Sequence, residues 1–158
     1  DEPTMQLIAE KEIWLSMQPF TLGDNQFPTK EQQEKHALVV QGTDQTYQLA
    51  KKYKVKLAWG TDLLFNPANT KNQNQGILKL QKWFSNFEIL KMVTHAELLA
   101  LSGARNPYPG KLGVIEEDAW ADLILVDGDV LKDITLLGDP EKNFIMIMKG
   151  GEIYKNRV

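Results

Sequence analysis

The sequence predicts an α/β fold in which parallel strands alternate with helices and several short strands follow. Two apolar runs, Ile13 to Met17 and Val55 to Trp59, are separated by a long stretch of helical character. A strand, a helix and a second strand in this order indicate a right-handed parallel crossover. From Leu112 onward the pattern changes to short apolar runs, and Gly150-Gly151 between two of them is typical of a hairpin turn.

Helix boundaries can be assigned from local signals. A short helix begins near Thr4, and Thr29 is the predicted N-cap of the long helix, with Gln32 placed so that its amide reaches back to the cap. Gly42 weakens the middle of that helix. The apolar positions predicted to face the core are Ala37, Val40, Tyr47 and Ala50.

The segment after Trp59 is predicted to be a polar loop followed by helices. The loop covers 67–74, and a helical region extends from Ile77 to Leu101, with Asn86 capping one helix and Thr94 starting another. Two prolines in 105–110 predict a stiff, non-helical connection. The predicted later strands are Leu112 to Ile115, Leu123 to Val126, Ile145 to Met148 and Ile153 to Tyr154.

Composition excludes several classes of protein. With 158 residues, of which 42% are apolar, the chain can bury one core, and its net charge of -3 gives no general attraction to nucleic acid or anionic lipid. No apolar run approaches the roughly twenty residues of a membrane span. The absence of cysteine excludes a disulfide or a thiolate nucleophile, and the start Asp1-Glu2-Pro3 lacks signal-peptide character. The compartment stays undetermined.

Asp62 is the first candidate for chemistry. It follows the apolar run that ends at Trp59, directly after Gly60-Thr61. A carboxylate at the carboxyl end of a parallel strand can bind a divalent metal ion and accept a proton from water. Strand-terminal aspartates also cap turns and helices, so the residues alone leave both interpretations open.

The other chemical groups give weaker signals. His36 is predicted to be a solvated helix residue and His95 a residue of a helix amino-terminal turn. Glu116 to Asp118 is expected to be a charged turn. The tryptophans lie in apolar runs, although Trp59 is close enough to Asp62 to border a pocket. The serines have no matching histidine and acid, so a small metal-independent hydrolase lacks support.

Three stretches together resemble the carboxyl-terminal part of the metal-dependent amidohydrolases, in particular the imidazolonepropionase-like branch. They are Val55 to Asp62, Ala121 to Gly128 and Ile145 to Tyr154. The resemblance implies a partial TIM barrel, comprising its last two βα units, followed by short strands of a β-sandwich domain. Residues 1–110 would be the carboxyl-terminal part of the barrel, and residues 111–158 the sandwich strands.

The resemblance also implies a role for Asp62. The last barrel strand of this family ends in an aspartate that is a metal ligand and proton shuttle, and Gly60-Thr61-Asp62 matches that motif. The family's other metal-binding histidines are not found in this sequence. We therefore expect a fragment, inactive and metal-free alone, of a zinc or other divalent-metal enzyme that hydrolyses C–N bonds in a small-molecule amide, cyclic ureide or peptide.

Two further expectations concern partners. The open strand edges of a partial barrel predict a homo-oligomer in which copies cover each other's edges. The alternative hypothesis is a non-catalytic α/β interaction module that binds a partner through the same apolar faces.

Overall fold

The computed structural model describes residues 1–22, 27–63, 67–95 and 110–158. The chain divides into two compact units, Asp1–Asp62 and Leu63–Val158. None of the described helices is long and apolar enough to cross a membrane. The predicted boundary between residues 110 and 111 stays a prediction.

The first unit has the predicted order of elements. Helix α1 covers Glu2–Glu10, strand β1 Leu15–Met17, helix α2 Lys30–Tyr53 and strand β2 Leu57–Trp59. The two strands pair in parallel, with Leu15, Ser16 and Met17 opposite Leu57, Ala58 and Trp59. The predicted parallel crossover is therefore present, although both strands begin two residues later than the apolar runs suggest.

Side-chain caps fix the starts of both helices. The Asp1 carboxylate accepts the Thr4 N–H at 3.0 Å, so α1 begins before Thr4. The Thr29 hydroxyl accepts the Gln32 N–H and the Gln32 side chain accepts the Thr29 N–H, each at 3.3 Å. This reciprocal pair is the predicted capping box.

A small apolar core joins the helices to one face of the strands. Met5, Ala50 and Val55 are buried together, and Leu15 and Leu57 are among the half-buried side chains packed against them. Three of the four predicted core positions of α2, Val40, Tyr47 and Ala50, are buried. Ala37 is exposed, because the amino-terminal part of α2 buries few side chains.

The helical part of the second unit begins earlier than predicted. A 3₁₀ helix covers Pro67–Asn72, helix α3 covers Gln73–Leu78, and a second 3₁₀ helix covers Lys79–Lys82. The prediction of a polar loop at 67–74 is therefore wrong. The Asn74 side chain donates to the Leu137 carbonyl at 2.8 Å, and the Gln75 side chain donates to the Gly138 carbonyl at 2.7 Å. A local sequence pattern does not reveal such long-range contacts.

Helix α4, Asn86–Thr94, begins one residue from the predicted cap. The capping residue is Ser85, whose hydroxyl accepts the Glu88 N–H while the Glu88 carboxylate accepts the Ser85 N–H. Asn86 instead donates its side-chain amide to the Leu131 carbonyl at 2.9 Å. The predicted helix after Thr94 and most of the predicted stiff connection at 105–110 lie outside the described residues.

A three-stranded antiparallel sheet closes the second unit. Strand β3 covers Leu123–Val126. A 3₁₀ helix at Ile134–Gly138 and the short helix α5 at Pro140–Asn143 follow it. Strand β4 then covers Phe144–Lys149, and strand β5 covers Glu152–Asn156. Strand β4 lies between the other two. Gly150 and Gly151 have φ of 57° and 83°, the left-handed turn predicted for this hairpin.

The predicted strand at Leu112 to Ile115 is not formed. The described backbone there makes a single isolated bridge between Lys111 and Ala119. Between these two residues Gly113 and Asp118 have positive φ, which bends the chain. The sequence signal failed because an apolar run forms a strand only where a pairing partner lies beside it.

Candidate active site

Asp62 lies three residues beyond the carboxyl end of β2. Its φ is 49°, in the left-handed region that aspartate and asparagine tolerate better than most residues. The side chain is exposed and forms no hydrogen bond or ion pair with another described residue. This carboxylate is therefore not used as a cap within the described parts of the chain.

Gly60 lies between β2 and Asp62, and two polar side chains of the neighbouring strand cover its Cα. A Cβ atom on Gly60 would lie 3.3 Å from Ser16 Oγ and 3.9 Å from Gln18 Nε2. Ser16 is in β1 and Gln18 directly follows it. The carboxyl ends of the two parallel strands thus bring together a hydroxyl and an amide beside the glycine that leads to Asp62.

These polar groups occupy the face of the strand pair opposite the helical core. Leu15 and Leu57 pack on the core side, and side chains alternate between the faces of a strand. Ser16, Ala58 and Gly60 therefore share the other face. Ser16 and Gln18 are not identifiable as site residues from the sequence, because only the parallel register places them beside Gly60 and that register is not readable from β1 alone.

Trp59 contributes a buried polar atom near this region. Alternation places its side chain on the same face as Leu57, away from the Gly60 face. Its indole Nε1 is buried and has no hydrogen-bond partner among the residues that the structure describes. Proximity in sequence to Asp62 thus does not put the indole on the face that carries Ser16 and Gly60.

His36 is not the solvated residue that the sequence predicts. It is half-buried on α2, its Nε2–H donates to the Thr21 carbonyl at 3.2 Å, and its ring lies 4.9 Å from the Phe27 ring. A nitrogen that donates to a carbonyl is not free to bind a metal ion. The local role of His36 is to hold the chain before α2 against the helix.

His95 directly follows α4, and the predicted helix in whose amino-terminal turn it was expected lies mostly outside the described residues. It is the C-cap of α4, and its backbone N–H donates to the Lys91 carbonyl at 3.1 Å. Thr94 is the last residue of α4 and not, as predicted, the first residue of a helix.

The carboxylates of the second unit have other surroundings. Asp127 is exposed beside Gly128 at the end of β3, and its backbone N–H donates to the Asn143 carbonyl at 2.8 Å. Glu116 to Asp118 are exposed and lie at a turn, as predicted, with Glu116 paired to Lys111. Neither location groups carboxylates with a histidine in the described structure.

The donor set does not by itself fit a metal ion. In the described ranges no three His, Asp or Glu side chains come close enough together to hold one. Protein zinc sites use three or four protein ligands. Asp62 therefore supplies one carboxylate, and the described residues do not complete its coordination.

No protein-family model and no curated protein matches the chain. Solved structures match nearly all of it. An amidohydrolase superposes with a TM-score of 0.79 at 26% sequence identity, and the match covers 99% of this chain and 38% of that protein.

Two enzymes with more specific names also match. Ochratoxinase from A. niger has a TM-score of 0.80 at 25% sequence identity, and the match covers 99% of this chain and 35% of the ochratoxinase chain. A Xaa-Pro dipeptidase with methionine bound in its active site has a TM-score of 0.64 at 25% sequence identity, and the match covers 98% of this chain and 33% of the dipeptidase chain. This chain thus spans only about a third of the length of these matched proteins. It has a mixed α/β fold, and its structural neighbours are amidohydrolases.

Proposed function

We propose that this chain is the carboxyl-terminal part of a metal-dependent amidohydrolase of the imidazolonepropionase-like branch. The complete enzyme hydrolyses a C–N bond in an amide, cyclic ureide or peptide. The observation that carries the proposal is Asp62, an exposed carboxylate just beyond the carboxyl end of a parallel strand, with no partner among the described residues. Active sites of α/β barrels lie at that end of their strands.

The fold supports the chemical class. The amidohydrolase, the ochratoxinase and the Xaa-Pro dipeptidase share this fold over almost the whole chain. Within the described residues β1 and β2 pair only with each other, so each strand has one open edge, which soluble proteins normally avoid. A two-stranded parallel sheet is therefore consistent with part of a larger barrel.

Asp62 has two roles in this proposal. It is one ligand of a divalent ion, which we expect to be zinc, with the remaining ligands supplied by parts of a longer protein. Its carboxylate also carries a proton, taken from the attacking water and returned to the leaving nitrogen as the C–N bond breaks. The left-handed backbone at Asp62 is compatible with such a role, since unusual backbone geometry recurs at functional sites.

Metal content and hydrolysis test the proposal together. The 158-residue chain and a longer protein that contains it are dialysed, analysed for bound zinc, and assayed on Xaa-Pro dipeptides, N-acyl amino acids and a cyclic ureide. We expect zinc and hydrolysis in the longer protein and neither in the 158-residue chain.

Opposite results have clear meanings. A longer protein that binds no metal and cleaves none of these substrates contradicts the proposed function and favours the interaction module. One tightly bound ion per 158-residue chain, together with hydrolysis, contradicts the assignment of the missing ligands to a longer protein.

A further inference from the structure

The side chain of Gln18 lies beside Gly60, at the strand end that leads to Asp62. Its Nε2 atom is 3.9 Å from the position that a Cβ atom on Gly60 would occupy. The parallel register that pairs Met17 with Trp59 brings Gln18 level with Gly60 at the carboxyl ends of the strands. Asp62 follows two residues later, so the amide and the carboxylate come from adjacent strand ends.

The side-chain amide of Gln18 has no hydrogen-bond partner in the part of the chain that the structure describes. The residue is half-buried, and within the described ranges its side chain makes no hydrogen bond; only its backbone carbonyl is engaged, by the Phe20 N–H at 3.1 Å. A primary amide has two donors and one acceptor. With no partner among the described residues, these groups are available to a bound molecule.

Ser16 makes the same face more polar. Its hydroxyl is 3.3 Å from the Gly60 Cβ position and, like the Gln18 amide, bonds to no other described side chain or backbone group. The apolar side chains Leu15 and Leu57 lie on the opposite face, against the helices. Ser16 Oγ and Gln18 Nε2 therefore both lie at the strand end that leads to Asp62, on the face turned away from the helices.

We propose that Gln18 is a substrate-binding residue whose side-chain amide donates a hydrogen bond to an oxygen atom of the substrate next to the scissile C–N bond. This inference rests on the proposed function and deepens it. The substrate class is a peptide or N-acyl amino acid, in which a carbonyl or carboxylate oxygen flanks the bond that is cut. The amide orients that oxygen while Asp62 serves the leaving nitrogen.

The test is steady-state kinetics of the complete enzyme with one dipeptide in two forms, with a free carboxylate and with a carboxamide end. Gln18→Met keeps the length of the side chain and removes its donors, so KM should rise roughly tenfold while kcat changes less than about threefold. Gln18→Glu replaces the donor with a negative charge. It should raise KM more for the carboxylate form than for the carboxamide form.

Gln48→Met is the matched control, because Gln48 is exposed on α2. It should leave both kinetic constants unchanged, and melting temperatures of all variants show whether they are folded. An unchanged KM in Gln18→Met, or an equal fall of kcat for both substrate forms without a change in KM, overturns the inference for Gln18. If Gln18→Met fails to fold, the selectivity of Gln18→Glu between the two forms decides.

Failure of this inference is distinct from failure of the proposed function. If hydrolysis depends on Asp62 but is unchanged by substitution of Gln18, only the substrate-binding role of Gln18 is contradicted. A complete enzyme that cleaves no C–N substrate contradicts both proposals.

Discussion

Ser16 Oγ lies 3.3 Å from the point where a Cβ atom of residue 60 would stand, so the hydroxyl on β1 occupies space that Gly60 leaves open on β2. Gly60 is not among the residues with positive φ, and its backbone conformation is therefore accessible to alanine. The contact with Ser16 is the local obstacle to a side chain at this position.

The first prediction uses this contact in a double-mutant cycle. Gly60→Ala restricts the unfolded chain, which stabilises by about 0.4–1 kcal/mol, but crowds Ser16, so its net effect should stay below about 1 kcal/mol. In a Ser16→Ala background the crowding is absent, and adding Gly60→Ala should then stabilise by about 0.4–1 kcal/mol. Chemical denaturation of the four proteins measures the difference. If Gly60→Ala changed the free energy of unfolding equally in both backgrounds, the contact with Ser16 would have no effect on stability.

The second prediction concerns Gly42 in the middle of α2. Apart from its two chain neighbours and the adjoining helix backbone, no described atom lies within 4 Å of the position that its Cβ would take, so nothing in the described structure requires a glycine there. Gly42→Ala should raise the free energy of unfolding by about 0.5–1 kcal/mol, because glycine loses more backbone entropy in a helix than alanine does. Equilibrium denaturation tests this.

Gly150→Ala is the opposite control. Gly150 has φ of 57°, and a Cβ there would lie 3.1 Å from the Trp120 ring. Alanine in a left-handed conformation costs about 1–2 kcal/mol, so this substitution should destabilise. If both alanine variants changed stability in the same direction, the distinction between a dispensable and a required glycine would be wrong.

A third prediction concerns the hydrogen bonds that link Glu2 of α1 to Lys52 and Tyr53 of α2. The Glu2 carboxylate accepts hydrogen bonds from Lys52 and Tyr53, and Gln6 donates to the Tyr53 hydroxyl at 3.1 Å. The bonds from Lys52 and Tyr53 lower the pKa of Glu2 below its ordinary value of 4.5, and the bond to Glu2 raises the pKa of Lys52. The side chains are at the surface, so salt should weaken the pair.

The sign of the pH dependence follows from these directions. A lowered carboxyl pKa contributes stability above pH 4.5 that is lost as pH falls through the folded-state pKa of Glu2. Glu2→Gln should therefore melt below the unmodified chain at pH 7, and the difference should shrink as pH falls below 4.5. Glu10→Gln, an exposed change on the same helix, should show no such convergence. A difference at pH 7 that persists unchanged at pH 3 would contradict the role assigned to Glu2.

Features that depend on neighbouring residues in the sequence were predictable. The capping box of Thr29 and Gln32 and the Gly150-Gly151 turn are each fixed by a few consecutive residues, and both are confirmed. The parallel pairing of β1 and β2 is also confirmed, because a strand, helix and strand leave few topologies open.

The features that were wrong depend on distant contacts. The helical segment at 67–74 is held by bonds from Asn74 and Gln75 to residues more than sixty positions away. The apolar run at Leu112 to Ile115 has no strand partner among the described residues, so it forms no strand. Likewise Gln18 became a candidate only when the register placed it beside Gly60.

The last prediction concerns Asp62 in a longer, active protein. Asparagine tolerates the left-handed backbone at this position as aspartate does, so Asp62→Asn removes the charge and the proton-accepting group without straining the chain. Turnover should fall by about 10²–10⁴-fold, the usual contribution of a positioned acid or base. The melting temperature should change little, since the side chain bonds to no described residue.

Asp127→Asn is the matched control, because Asp127 is likewise an exposed aspartate near the end of a strand and next to a glycine, here Gly128 in the second unit. It should leave kcat of the folded enzyme nearly unchanged. Bound zinc should fall in Asp62→Asn and stay at the parental level in Asp127→Asn, which separates loss of a ligand from loss of folding. Retention of most of the turnover by Asp62→Asn, or its loss in a folded Asp127→Asn protein, would show that the reaction does not depend on the carboxylate beyond β2.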